Sequence, residues 1–146
     1  MTDTLAILQE FRLEKLAMLL RHEAGARLIG QYDINNTYQY IINREEVQLS
    51  WLTNAITELG GTPGESTSPA PTASGKGAEA ARHAIEEDAR DAGAFVARWR
   101  PRVEVMENAR HAKMLRLVLG ELLAHHDRDT RPERHSDGEQ PADQNR

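Results

Sequence analysis

Apolar residues recur along this chain at intervals of three and four. Leu5, Leu8, Leu16, Leu19, Leu20 and Ala26 share one stripe, and Tyr38, Ile41, Leu52, Ala55, Ile56 and Leu59 a second. Ala81, Ile85, Ala92, Phe95 and Trp99 make a third. Met114, Leu115, Val118, Leu119, Leu122 and Leu123 make a fourth, with Val103 and Met106 ahead of it. None alternates with the period of two that a strand requires. The spacing predicts helices over about 3–29, 34–59, 78–98 and 102–126. Gly30, Asp33 and Asn35–Asn36 separate the first two, Gly60 and Gly61 stop the second, and Pro101 opens the fourth, since proline is tolerated in a helix's first turn.

Between the second and third stripes, residues 60–77 hold five of the ten glycines and three of the six prolines, and no Val, Ile, Leu, Met or aromatic residue. Nothing there can pack, so the stretch reads as a linker. Its length matters. Residues 61–76 reach about 50 Å when extended, and a helix of about 26 residues is about 39 Å long. The linker can therefore run the full length of a bundle. Short turns within each half force antiparallel neighbours. The expected fold is all-α: a four-helix bundle over 1–126, two antiparallel hairpins joined by a long crossover linker. From Asp127 onward Ala142 is the only apolar side chain, so 127–146 is expected to be a disordered tail.

Composition narrows the chemistry. There is no cysteine, which excludes disulfides, zinc–cysteine sites, iron–sulfur clusters and thiol nucleophiles. No apolar run approaches the roughly 20 residues of a membrane helix. The N-terminal Met-Thr-Asp-Thr lacks the basic and apolar regions of a signal peptide, so none is expected. A cytoplasmic protein without a membrane partner is expected. Arg98, Arg100, Arg102, Arg110, Lys113 and Arg116 concentrate positive charge, but Glu104 and Glu107 intervene, and the chain carries a net −5. No groove-reading motif accompanies the patch, so no nucleic-acid partner is expected. Ile7, Phe11, Leu13 and Ala17 exceed what one inward seam on helix one needs. That surplus predicts a homodimer, with another protein partner as the alternative.

The informative residues are polar ones on apolar stripes. Glu23 continues Leu16, Leu19 and Leu20; Glu45 and Gln48 lie between Ile41 and Leu52. Asp88 lies between Ile85 and Ala92, and Asn108 and His111 precede Leu115. A carboxylate facing an apolar interior is costly unless it is paired or holds a metal. All sit about three turns from their own hairpin turn. The two halves also echo each other, "HEAGA" at 22–26 against "RDAGA" at 90–94.

Two hairpins, a long crossover and inward acids resemble the ferritin-like superfamily. Its di-metal members carry a Glu on helices one and three and a Glu-x-x-His pair on helices two and four. "REEVQLSWL" at 44–52 resembles the second-helix motif, with Gln48 in the His position. "ENARHAKML" at 107–115 resembles the fourth-helix motif, with Asn108 in the Glu position. The resemblance implies iron or manganese, in preference to zinc, held by Glu23, Glu45, Asp88 and His111. Gln48, Asn108, Glu87 and Asp91 are the further candidates. The two amides are poor ligands for a transition metal, so the set suits one ion better than two.

Two readings remain open from sequence. One is a ferritin-like metal-binding protein with a single or degenerate iron- or manganese-type site and an oxidase or metal-handling activity. The other is a metal-free degenerate bundle without cofactor, in which Glu45, Gln48, Asn108 and His111 form a buried hydrogen-bond network. It would act as a structural or protein-interaction module. No catalytic residue is assigned. His22 and His83 lie off the stripes and are expected at the surface.

Overall fold

The computed structural model describes residues 3–65 and 75–129. They form four α-helices and no strand: α1 (Thr4–Ala26), α2 (Tyr32–Glu58), α3 (Gly77–Glu104) and α4 (Ala109–Asp129). This all-α arrangement is consistent with a four-helix bundle. α1 packs on α2 and α3, and α4 packs on α2 and α3. Half of the expected linker, residues 66–74, and the expected tail beyond Asp129 lie outside the described residues. No helix among the described residues is long and apolar enough to cross a membrane.

The helix ends follow from local chemistry. Asp3 caps α1, its carboxylate accepting from the Ala6 amide at 3.2 Å, which satisfies one of the free N–H groups of the first turn. The turn after α1 is tied by Asn35, whose amide donates to the Ala26 and Ile29 carbonyls at 3.0 Å each. It reaches back to close α1 instead of capping its own helix. α2 stops at Gly60, whose φ of 85° suits glycine. The Gly61 amide then donates to the Ile56 carbonyl at 2.9 Å.

α3 departs from expectation, because it continues through Pro101 to Glu104. A proline inside a helix costs about 3 kcal/mol, and the contacts on either side of it oppose that cost. Trp99 is fully buried edge-on to Phe11, ring centroids 5.0 Å apart, and its indole N–H donates to Glu14 at 2.9 Å. Arg102 forks onto Glu10 at 2.9 and 3.0 Å and lies 4.1 Å over the Trp99 ring. Val103 and Met106 are buried as well. The turn therefore falls at 105–108, and Asn108 caps α4 by accepting from the His111 amide at 3.0 Å.

Leu8, Phe11, Leu52, Ile56, Phe95, Trp99, Leu115 and Val118 belong to the main core cluster. A second cluster gathers Leu19, Ile29, Tyr38 and Ile42. Ile7 and Phe11 are buried in the first. Leu13 and Ala17, the other two residues of the expected surplus on helix one, are half-buried. Contacts between helices fall in a regular order. Arg102, Arg98 and Asp91 of α3 meet Glu10, Glu14 and Arg21 of α1. His125, Glu121 and Arg110 of α4 meet Tyr40, Arg44 and Glu58 of α2.

Candidate functional site

Leu8, Phe11, Lys15, Met18 and His22 follow one another on α1 at intervals of three and four, and all five are buried. This stripe brings two basic groups into the interior. The Lys15 ammonium donates to Glu45 Oε2 at 2.9 Å, and His22 Nδ1 lies 2.7 Å from Glu45 Oε1. Each carboxylate oxygen thus has its own partner. Lys15 is 0% exposed and Glu45 2%, so the pair joins α1 to α2 without water.

The cluster continues toward α3. Tyr38 sets its ring edge-on to His22, centroids 6.0 Å apart, and donates its hydroxyl to Asp88 Oδ2 at 2.8 Å. Gly25 lets α1 and α3 approach here. A Cβ at Gly25 would lie 3.3 Å from Asp88 Oδ2 and 3.7 Å from the Ala84 methyl. At Gly93, the matching glycine of the sequence echo, a Cβ would meet nothing within 4 Å. The two echoed segments therefore do different work.

The electrostatics separate the two acids. Burial works to raise the Glu45 carboxyl, but the His22 hydrogen bond and charge and the adjacent Lys15 outweigh it, holding the group at about 2. Burial also raises Asp88, and there it prevails over the His22 charge, the Tyr38 hydrogen bond and Arg21, with Asp91 adding to the rise. Two acids and two bases face one another, so the cluster can reach neutrality with no added ion.

Of the residues expected to hold a metal, Glu45 and Asp88 enter this cluster and the others do not. Glu23 is half-buried on the rim of a groove it shares with Arg27, Asn35 and Gln39. His111 is buried in the first turn of α4, and neither ring nitrogen has a hydrogen-bond partner. Burial and the Arg110 charge lower its pKa against an opposing Glu58. Gln48 is buried but donates to Glu121 at 2.8 Å. Asn108 is a helix cap. Glu87 and Asp91 are exposed, beside His83 at 3.7 Å and Arg21 at 3.5 Å respectively. Among the described residues, no three His, Asp or Glu side chains are placed to hold a metal ion.

The expected metal-free network also has other members. Glu45 joins Lys15 and His22, while Gln48, Asn108 and His111 each lie elsewhere. His22, expected at the surface, is buried. Lys15 was missed altogether. Its signal was present in the alternation Leu8–Phe11–Lys15–Met18–His22, which runs about one residue out of phase with the stripe through Glu23. No family model matches this chain, and no curated protein or solved structure matches it at a significant level.

Proposed function

We propose that this chain is a metal-free four-helix bundle serving as a structural and protein-interaction module. The observation that carries this is the Lys15 ammonium, 2.9 Å from Glu45 and without solvent exposure. In a di-metal bundle the cation between inward acids is a metal. Here a covalently held cation neutralises Glu45, and a metal ion would have to displace it. Buried, fully partnered polar groups of this kind fix helix register.

The ferritin-like chain path is a further part of the proposal. The reversed order of contacts supports α1 lying antiparallel to both α2 and α3. α2 and α3 would then be parallel, with the linker crossing the length of the bundle. The start of that linker supports this path: the Thr62 carbonyl accepts from Gln9, and the Gly64 carbonyl from Arg12, both at 2.7 Å.

Elemental mass spectrometry tests the reading on tag-free protein expressed with added iron and manganese. Metal well below one ion per chain is expected, with a thermal midpoint unmoved by iron, manganese or zinc. One ion per chain, lost in Glu45→Gln, would overturn it.

A further inference from the structure

Exposed aliphatic side chains stand on the face shared by α2 and α4. Val47 is 41% exposed and Leu117 51%. Trp51, one turn after Val47 on α2, is half-buried, with the Arg44 guanidinium 5.5 Å over its ring. Leu117 stands one turn before Glu121 and Val47 one turn after Arg44, on the helix sides where Arg44 and Glu121 pair at 2.9 Å. Exposed aliphatic groups beside a tryptophan, rimmed by charge, are the usual composition of a contact surface.

The rim has a definite pattern. At one end Arg44 of α2 pairs with Glu121 of α4, and at the other Glu58 of α2 pairs with Arg110 of α4. Each helix carries one positive and one negative corner, in opposite order. Arg44 and Glu58 stand equally far in sequence from Trp51, and Arg110 and Glu121 equally far from the midpoint between Met114 and Leu117. The four corners form a checkerboard around an apolar centre. Turned over by a two-fold axis in the plane of the face, a checkerboard meets its own complement. With the axis along the helices, Arg44 meets the second copy's Glu121. With the axis across them, Arg44 meets the second copy's Glu58. Such self-complementarity is what an isologous pair requires.

We propose that the partner of the α2–α4 face is a second copy of this chain, docked apolar centre to apolar centre. The inference rests on reading the chain as an interaction module and names its partner.

Sedimentation equilibrium on the full chain tests it, with metal content measured on the same samples. The wild type is expected to dimerise, and Leu117→Glu and Val47→Glu to raise the dissociation constant at least about tenfold while keeping wild-type helicity. A charge-swap pair then reads the geometry. One variant carries Arg44→Glu with Glu121→Arg, the other Glu58→Arg with Arg110→Glu, so each keeps its own in-chain ion pairs. An axis along the helices leaves each variant dimeric alone, and a mixture in which one variant carries a mass tag then holds the two homodimers and no mixed dimer. An axis across them leaves each monomeric and the mixture dimeric. Wild-type monomer, a dimer indifferent to Leu117→Glu and Val47→Glu, or mixed dimers as abundant as homodimers in the mass-tagged mixture would overturn the proposal. A metal-loaded monomer would overturn the interaction-module reading as well; a metal-free monomer would overturn only the pairing.

Discussion

Lys15 and Glu45 meet at 2.9 Å between α1 and α2, with side chains 0% and 3% exposed. Removing Lys15 leaves Glu45 buried with His22 as its remaining partner, and breaking a buried pair typically costs about 3–5 kcal/mol. Lys15→Met is expected to lower the free energy of urea unfolding by that amount. Lys15→Met combined with Glu45→Leu removes both charges and is expected to recover more than half of the loss. A double variant as unstable as the sum of its parts would mean that the two groups act independently.

The two buried acids give stability opposite dependences on pH. Glu45 is held at about 2 against an ordinary 4.5. Its contribution is present above pH 4.5 and is lost as pH falls toward 2, about 3 kcal/mol in all. Asp88 is raised above its ordinary 3.8, so the folded chain holds that proton more tightly than the unfolded one. Its effect on stability declines as pH rises above 3.8. Urea midpoints between pH 2 and 7 separate the two. Glu45→Gln is expected to flatten the loss between pH 4.5 and 2. Asp88→Asn, which keeps an acceptor for Tyr38, is expected to remove the opposing decline. An acid limb unchanged by Glu45→Gln would contradict this assignment.

The helical class was legible because each segment repeats its apolar residues at three and four. The phase of α1 was not. Leu5, Ile7, Leu8, Phe11, Leu13, Leu16, Met18, Leu19 and Leu20 put apolar groups on nearly every side of that helix. An error of about one residue then exchanges Glu23 for His22 and hides Lys15. α2 and α3 have charged outer faces, so Glu45 and Asp88 could be read as inward. The turn at 105–108 was missed because Pro101 is a helix-starting residue in isolation, and only the packing of Trp99 and Val103 carries α3 past it.

The amide-rich start of α2 yields a prediction that sequence alone did not. Asn35 closes two carbonyls of the preceding turn at 3.0 Å each, whereas Asn36 is exposed. Asn35→Ala is expected to cost about 1–2 kcal/mol, since it takes a donor from the part-buried Ile29 carbonyl and one of two from the Ala26 carbonyl, which keeps the Ile29 N–H. Asn36→Ala is expected to stay within about 0.5 kcal/mol. Thermal unfolding of the two variants decides it, and equal effects would sink the role given to Asn35.

His111 offers the opposite case, a buried polar group whose removal helps. Both ring nitrogens are shielded and lack hydrogen-bond partners, and each such group carries a desolvation cost. His111→Leu keeps a similar volume and is expected to stabilise the fold by about 1–2 kcal/mol at pH 8. Burial and Arg110 hold the His111 pKa below its ordinary 6.5. Below pH 6.5 the unfolded chain therefore takes up a proton that the folded chain resists, and wild-type stability falls. The leucine variant lacks that loss, so its advantage is expected to widen between pH 8 and pH 5. Unfolding free energies of both proteins across that range provide the check. A variant less stable than wild type at pH 8 would show that the imidazole has a partner and that the first turn of α4 depends on it.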